Sequence, residues 1–197
     1  GTKATHKDQR SQFKATALAV QYGMGLDSLA IRIDRTRAHA NELLELHRTT
    51  YPTFWRYSDR VIDFAMLYGY VDTVLGWRLH VVPDTNPRTL RNFPGQGNGG
   101  EMLRVACVLA GDRGVSICAT IHDAVLIQAP AEHLADAVQA TQEAMQEASA
   151  IVLDGFTLTT DVKIIVHPDR FMDEDRGRQM WDLVWDIVFD ITGVRIK

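Results

Sequence analysis

The chain has 197 residues, of which 46% are hydrophobic, and its formal net charge is -4. This length is enough for one hydrophobic core or two smaller ones. No apolar run approaches the roughly 18 residues that span a bilayer, and the N-terminus lacks the apolar stretch of a signal peptide, so we expect a cytoplasmic protein without a membrane partner. The two cysteines, Cys107 and Cys118, are too few and too isolated for a disulfide framework or a zinc site.

The charges are distributed unevenly along the chain. Residues 1–60 carry 10 Lys and Arg against 6 Asp and Glu, whereas residues 121–197 carry 6 against 14. A basic N-terminal segment suits a polyanionic partner such as nucleic acid. Solvated charge without a partner is an equally good interpretation of the counts alone.

The first third of the chain has the apolar periodicity of helices. Asp34 and Thr36 are candidate helix caps, and Pro52 is placed to open a helix. The pattern predicts helices near residues 8–22, 26–33, 36–50 and 52–68. We interpret residues 1–68 as a helical module.

From Gly69 onward strand-forming residues appear. β-branched and aromatic residues on either side of Leu75 and Gly76 predict a hairpin. The stretch from Pro83 to Pro94 predicts a loop, and a helix follows from residue 99 and stops at Gly111.

The remainder of the chain predicts a second hairpin, a long helix, a strand and a final helix. The second hairpin turns at His122 and Asp123 within an otherwise apolar, strand-forming run, and residues 156–166 predict the later strand. The residues that return at helical spacing in the long helix are Leu134, Val138, Met145, Ala148 and Val152. The fold class is therefore α+β, with residues 69–197 as its second unit.

The final predicted helix is rich in tryptophan and apolar residues. Trp181, Val184, Trp185 and Val188 are expected to pack on the rest of the second unit. Docking of a segment from outside this chain is the alternative.

Four residues in the first predicted helix form a stripe that is cationic at one end and apolar and aromatic at the other. Arg10, Lys14, Leu18 and Tyr22 are spaced four apart, so on a helix they form one slowly drifting row about 18 Å long. Two cations at one end can hold a triphosphate, and an apolar residue with a tyrosine at the other end can hold a sugar and a base. An ordinary amphipathic helix with two solvated cations is the structural alternative.

The aspartate of the second hairpin is the best candidate for a metal ligand. A buried carboxylate is unfavourable unless it is paired or bound to a metal. Mg²⁺ takes only one or two protein carboxylates, with phosphate oxygens and water as its other ligands. Asp123 therefore fits a Mg²⁺ site, although aspartates are also common in turns that bind nothing.

A second stripe lies between Pro83 and the helix predicted from residue 99. Arg88, Asn92 and Gln96 are again four apart, and their fork and amide groups suit phosphates and base edges of a duplex. The glycines Gly95, Gly97 and Gly100 match G-x-G-x-x-G. We discount a dinucleotide-binding loop here, because no apolar strand precedes it.

These motifs, and their order along the chain, resemble those of the family-A DNA polymerases. The resemblance covers about residues 8–130, and the strand near 161–166 fits the end of the palm. It implies a helical fingers module followed by part of an antiparallel-sheet palm with flanking helices. The segments that carry it are RSQFKATALAVQYG at 10–23 (motif B), GYVDTVLGWR at 69–78, RNFPGQGNGGEMLR at 91–104 and IHDAVLI at 121–127 (motif C).

The resemblance implies roles in nucleotide binding for the first stripe. Arg10 and Lys14 would contact the triphosphate of the incoming dNTP, and Tyr22 would lie by the nascent base pair. Leu18 stands where the family usually has Phe or Tyr, next to the incoming sugar. Arg10, Lys14 and Tyr22 are thus the implied catalytic residues, together with Asp123.

The resemblance also implies contacts with primer-template DNA and metal. Arg88, Asn92 and Gln96 would touch template and primer in the minor groove. His122 would contact the primer terminus, and Asp123 would bind the two Mg²⁺ ions of the family.

A second metal-binding carboxylate is required by two-metal phosphoryl transfer, since both ions must be bridged. In the family it lies in motif A, upstream of the fingers and accompanied by the thumb. Asp8 is too close to Arg10 to serve. We therefore expect a missing N-terminal half, in the same protein or in a separate chain, without which this chain is inactive. Ala124, where the family usually has Glu, is not expected to abolish activity alone.

Two other functions remain open from the sequence. A non-catalytic nucleic-acid-binding or assembly subunit is favoured by Ala124 and the missing motif A, and opposed by retention of the dNTP-binding residues. A part of a single-subunit RNA polymerase is possible because that class shares Arg-x3-Lys, Tyr-Gly and His-Asp. The segment around Gln96 and the hairpin at 69–78 favour the DNA enzyme.

Overall fold

The computed structural model describes residues 5–173 and 176–194. Its first part is helical, as predicted, and each helix lies within two residues of its predicted bounds. Thr36 caps the third helix, because its Oγ1 accepts a hydrogen bond from the backbone N–H of His39 at 3.2 Å. The helices are Lys7–Gln21 (α1), Leu26–Arg32 (α2), Arg37–Thr50 (α3) and Pro52–Tyr68 (α4).

The second part contains two antiparallel hairpins and three helices of 26, 19 and 16 residues, which confirms the α+β class. Tyr70–Asp72 (β1) pairs with Arg78–His80 (β2) across Gly76, whose φ is +89°. Ser116–Ile121 (β3) pairs with Ala124–Gln128 (β4), so both predicted hairpins are present. The helices are Pro87–Asp112 (α5), Leu134–Val152 (α6) and Gly177–Thr192 (α7), and a 3-10 turn at Ala131–His133 precedes α6.

Small buried residues hold the first three helices together. Ala19 on α1 and Ala40 on α3 are fully buried, and Leu29 on α2 is buried between them. Alanines allow the helix backbones to approach closely, so this core consists of short side chains around a few larger ones. A second cluster joins Ala65 of α4 to Val71 of β1, across the division that the sequence predicts near residue 69. That division stays a prediction.

One histidine in the helical part has a pKa that is lower than usual. The indole Nε1–H of Trp55 on α4 donates to Nδ1 of His47 on α3 at 3.2 Å. Burial of the imidazole lowers the pKa of His47 from its usual 6.5. The neutral ring is the form that accepts this hydrogen bond, so both effects favour the uncharged state.

We expect the His47→Gln variant to lose part of the pH dependence of stability. Because the folded-state pKa lies below 6.5, this group's stabilisation is fully present above pH 6.5 and is lost as pH falls through the folded value. Thermal melts of wild type and variant at about pH 7.5 and about pH 5.5 measure the difference. The fall in melting temperature should be smaller in the variant. An equal fall in both would contradict the assignment.

Helix α5 begins earlier than the sequence predicts. The stretch from Pro83 to Pro94 is predicted as a loop, but residues 87–94 form the first two turns of this 26-residue helix. The start is encoded locally, since the side chain of Asn86 accepts from the N–H of Arg88 at 2.9 Å and Pro87 occupies the first helical position. Pro94 and the four glycines within residues 95–100, each unfavourable in a helix interior, are compensated by packing of α5 against α4, β1 and α6.

The prediction of a strand within residues 156–166 is wrong. These residues are extended but belong to no sheet. They run along α6, where the N–H of Leu158 donates to Oγ of Ser149 at 2.9 Å and Nε2 of Gln142 donates to Oγ1 of Thr160 at 3.1 Å. A strand needs a neighbouring strand, and within residues 5–173 and 176–194 none lies beside this segment.

Helix α7 is present as predicted. Of the residues expected to pack, Trp181, Trp185 and Val188 are half-buried and Val184 is exposed, and the guanidinium of Arg170 lies 4.9 Å from the centre of the Trp181 ring. The helix has no buried residue, and it makes no extensive contact with another described helix or strand. Met180, Leu183 and Ile187 are each about half exposed on its apolar side. None of the helices in the described ranges is long and apolar enough to cross a membrane.

Candidate functional site

The stripe predicted on the first helix lies on the solvent side of α1. Arg10 and Lys14 are exposed, and Leu18 is half-buried. The opposite side of α1 packs inward through Thr16, whose Oγ1 donates to the carbonyl of Gln12 at 2.9 Å. The two cations are therefore available to an anionic ligand, at one end of a row that ends at Tyr22.

Tyr22 ends this row at a junction with α5. It follows the last residue of α1 and caps the helix with its backbone N–H, which donates to the carbonyl of Leu18 at 2.9 Å. Its hydroxyl accepts a hydrogen bond from Nε2 of Gln96 at 3.1 Å. This contact joins two predicted site residues that are 74 positions apart.

The junction is close enough to require glycine at the next position. Gly23 has φ of +62°, and a Cβ placed there would lie 3.0 Å from Cγ of Arg88. Both the left-handed backbone and the approach of Arg88 therefore disfavour a side chain. The side chain of Arg88, at the start of α5, therefore lies close to the end of α1.

The second predicted stripe is formed as one row on α5. Arg88, Asn92 and Gln96 follow at intervals of four residues, so a helix places them on one side. Arg88 and Gln96 are exposed, whereas Asn92 is half-buried between them. The buried Oδ1 of Asn92 has no hydrogen-bond partner among the described residues. A polar row therefore borders the end of the α1 stripe.

The first hairpin is attached to α5 by two residues that sequence reasoning missed. Oδ1 of Asn98 accepts from the N–H of Val74 at 2.8 Å, and Oε2 of Glu101 accepts from the N–H of Leu75 at 3.2 Å. Glu101 is 1% exposed, and its other oxygen lies 3.7 Å from the guanidinium of Arg104. In the sequence, the only local sign of these two contacts is that Glu101 follows Asn98 by three residues within a glycine-rich segment.

The second hairpin presents His122 and Asp123 at its turn. His122 has φ of +56°, which is uncommon for a residue with a side chain. The turn has only these two residues between β3 and β4, so the hairpin forces them outward. Both are exposed, which places the carboxylate of Asp123 in reach of a ligand. Strained residues of this kind are concentrated at functional sites.

Asp123 lies at a groove that also reaches α5. The groove has a volume of about 740 Å³, and its walls are β4, residues 158–165, and the facing sides of α5 and α6. Gly99 of α5 lines it, three residues beyond Gln96, which is about 4.5 Å along a helix. One helix therefore carries the polar row near Tyr22 and part of the groove at Asp123.

The carboxylate of Asp123 fits a metal site whose other ligands come from outside the described residues. Among the described residues, no cluster of three or more His, Cys, Asp or Glu side chains is placed to hold a metal. Asp161 also lines the groove. A single carboxylate fits Mg²⁺, which keeps water or phosphate as further ligands, and does not fit a structural zinc.

Comparison with known proteins identifies the family. The profile described as "DNA polymerase family A" matches residues 1–167. DNA polymerase I from Deinococcus radiodurans is 27% identical over 152 residues, which are 71% of this chain and 16% of that protein. DNA polymerase I from Geobacillus stearothermophilus is 26% identical over 175 residues, which are 81% of this chain and 19% of that protein.

A solved structure agrees with the sequence comparisons. The POL domain of Pol1 from M. smegmatis, in complex with DNA primer-template and dNTP, matches with a TM-score of 0.64 and 25% identity. The match covers 71% of this chain and 27% of that one. The fold and the profile together define a polymerase-type protein, and the chain belongs to DNA polymerase family A. It spans less than a fifth of the length of the two relatives named above.

Proposed function

We propose that this chain is a part of a template-directed DNA polymerase that binds dNTP and primer-template DNA and supplies one Mg²⁺ ligand. The observation that carries the proposal is the hydrogen bond of 3.1 Å between Gln96 and Tyr22. It joins the row suited to a nucleotide on α1 to the row suited to a duplex on α5. A polymerase needs this adjacency, because the incoming nucleotide pairs with a template base beside the primer end.

The nucleotide-binding role falls to the α1 row. Arg10 and Lys14 are exposed cations one helical turn apart, and a triphosphate offers several anionic oxygens over a similar distance. Leu18 supplies apolar surface for the sugar, and Tyr22 supplies an aromatic ring and a hydroxyl at the base end. In this role Arg10, Lys14 and Tyr22 are catalytic residues, since they hold the reacting nucleotide in position.

The primer-template role falls to the α5 row and the turn of the second hairpin. Arg88, Asn92 and Gln96 carry groups that bond to sugar, phosphate and base edges. The unpartnered Oδ1 of Asn92 is an acceptor that a ligand donor would satisfy. His122 stands next to Asp123 on the hairpin, so it is placed to contact the primer end that reacts there.

Asp123 is the Mg²⁺ ligand of this chain. When bound, the metal ions neutralise charge that develops on the attacking and leaving oxygens. Asp123 would supply one carboxylate to them, and we propose that a second carboxylate comes from a polymerase part outside this sequence. This chain alone should therefore give no primer extension. The other site residues of this chain bind the dNTP and the primer-template DNA and align them beside Asp123.

The nucleotide-binding role is tested by dNTP affinity. Replacing Arg10 or Lys14 by Ala should weaken Mg·dNTP binding by about tenfold or more, since a hydrogen bond to a charged group contributes about 1.5–3 kcal/mol. Ligand-observed NMR titration of the 197-residue chain with dATP measures the affinity. Arg32→Ala, which removes an exposed cation on α2, is the matched control and should change the affinity by less than about twofold.

Equal losses in Arg32→Ala and in the two stripe variants would show only non-specific attraction of the triphosphate to positive charge. No loss in any variant would remove the α1 row from the proposal. Either outcome can be read without primer extension, so it does not depend on the part that carries the second carboxylate.

A further inference from the structure

Helix α7 carries a row of aspartates beside an exposed apolar strip. The helix lies outside residues 1–167, which match the family profile. Asp182, Asp186 and Asp190 are spaced four apart, so they form one row with steps of about 6 Å along the axis. Apolar residues exposed together beside such a row indicate an interaction surface. The strip consists of Met180, Leu183, Val184, Ile187 and Ile191, each about half exposed or more.

Two of the three aspartates have no cation beside them. Nε of Arg178, one turn earlier on α7, lies 3.1 Å from Oδ2 of Asp182. Within residues 5–173 and 176–194, Asp186 and Asp190 form no ion pair. Like charges at a spacing of four residues destabilise a helix, so cations from another element would relieve this repulsion.

The solvent side of α4 carries the complementary arrangement. α4 buries Ser58 and Ala65, and Arg56 and Arg60 are exposed on its opposite side, four residues apart. Nη2 of Arg56 donates to Oγ1 of Thr53 at 3.3 Å, and neither arginine forms an ion pair in the described part of the chain. A strip of exposed aromatic and apolar residues adjoins the two arginines, and its members are Tyr57, Phe64, Leu67 and Tyr68.

The two surfaces match in hand as well as in spacing. Tyr57 follows one arginine by one residue and precedes the other by three. Ile187 stands in the same relation to Asp186 and Asp190. Each apolar strip therefore lies on the same side of its charged row when the helix is viewed along its chain direction. Antiparallel packing of α4 and α7 brings row against row and strip against strip, whereas parallel packing would set each row against a strip.

We propose that α7 of one copy of this chain docks antiparallel on α4 of a second copy, and that the contact is formed twice in a closed dimer. Asp186 then faces Arg60, and Asp190 faces Arg56. The apolar strips of the two helices pack against each other beside these ion pairs. A closed dimer forms the contact reciprocally, so it buries twice the apolar area of a single docked helix.

One further carboxylate lies on the docking side of α4. Asp63 is exposed, three residues beyond Arg60. In the antiparallel arrangement it lies beside the ion pair of Arg178 and Asp182, so α7 brings a cation near it too. The exposed charges of both helices therefore meet opposite charges along the contact.

A second copy is the occupant because both halves of the match lie on this chain. α4 and α7 make no extensive contact with each other within the described residues, so each surface is available to another molecule. The overall distribution of charge agrees, since residues 1–60 carry an excess of cations and residues 121–197 an excess of carboxylates. Nucleic acid and anionic lipid are excluded as occupants of the α7 surface, because the aspartate row repels them.

The oligomeric state of the 197-residue chain tests the proposal. Sedimentation equilibrium at about 10–100 μM should give twice the monomer mass of 22.1 kDa. A monomer throughout this range would overturn the proposal and would assign α7 to a different partner. An open-ended series of larger oligomers would overturn the closed, reciprocal contact.

Charge reversal tests each helix separately. Asp186→Arg and Arg60→Asp each place like charges opposite one another in both contacts of the dimer, so each should weaken dimerisation by at least about tenfold. Asp112→Arg is the matched control, because Asp112 is an exposed carboxylate at the end of α5. It should change the dimer affinity by less than about twofold. Thermal melts establish that each variant is folded.

A mixture of the two single variants gives the sharpest measurement. In the mixed dimer, one contact joins the two substituted helices with their charges exchanged, and the other contact joins two unchanged helices. The mixture should therefore dimerise within about threefold of wild type, although neither variant does so alone. Recovery of this kind also shows that both variants are folded.

Failure of the mixture to recover while both variants remain folded would overturn the proposal. So would dimerisation of Asp186→Arg alone with wild-type affinity. None of these measurements uses dNTP, DNA or metal. They are therefore independent of the dNTP titration with the Arg10 and Lys14 variants, which tests the proposed function.

Discussion

Replacing Asp123 by Asn should reduce primer extension by about a thousandfold or more in the complete polymerase formed by this chain and the part with the second carboxylate. A Mg²⁺ ligand at the reacting phosphate contributes several kcal/mol of transition-state stabilisation, and each 1.36 kcal/mol is about a factor of ten in rate. Single-turnover extension of a primed template measures the rate. Binding of the primer-template should persist, since Asp123 repels phosphate instead of attracting it.

Asp161→Asn is the matched control for this prediction. Asp161 is a second aspartate that lines the same groove, so its removal changes the local charge by the same amount. We expect its extension rate to stay within about threefold of wild type, because Asp161 lies on the extended segment 158–165 and not at the hairpin turn. Extension by Asp123→Asn within tenfold of wild type would rule out the metal-ligand role.

Local patterns predicted most of the fold. Helices α1 to α4, α6 and α7 were found from apolar periodicity, and both hairpins from strand-forming residues around a turn. These features depend on residues close together in sequence. The start of α5 was also encoded locally, by Asn86 and Pro87, but Pro94 and the glycines outweighed that signal. Packing against other elements decided the outcome, which no local pattern contains.

The missing strand at residues 156–166 is a different kind of error. Its residues have strand propensity, and the structure keeps them extended, but a strand is defined by hydrogen bonds to a neighbour. Residue types do not say which strand a segment would pair with, and no strand of the described residues pairs with this one.

For the candidate site, the sequence predicted which residues form the two rows but not that the rows lie side by side. Spacing of four residues placed Arg10 to Tyr22 on one side of a predicted helix, whereas Arg88 to Gln96 became one row only because α5 begins at Pro87 instead of after the predicted loop. The hydrogen bond from Gln96 to Tyr22 depends on how the two helices cross. Asn98 and Glu101 were missed for the same reason, because their partners are the backbone N–H groups of a hairpin tip.

The position of that hairpin on α5 depends on one glycine. A Cβ on Gly97 would lie 2.5 Å from Cγ2 of Thr73, which is too short for a contact between carbon atoms. Thr73 is 6% exposed, and its Oγ1 accepts from the N–H of Trp77 at 2.8 Å. Rotation of Thr73 away from an added methyl group would break this hydrogen bond. The helix and the hairpin therefore touch at a point that only glycine allows.

Gly97→Ala should consequently destabilise the protein by up to about 2 kcal/mol, because overpacking costs about 1–3 kcal/mol and the helix-propensity gain offsets about 1 kcal/mol of it. Gly99→Ala on the same helix meets nothing within 4 Å and should be neutral or stabilising. In a Thr73→Ser background the clashing methyl group is absent and the hydroxyl is kept, so Gly97→Ala should become neutral or stabilising as well. Denaturant unfolding of the four chains measures this cycle. Destabilisation of equal size in both backgrounds would mean that the cost arises elsewhere than at the contact between α5 and the first hairpin.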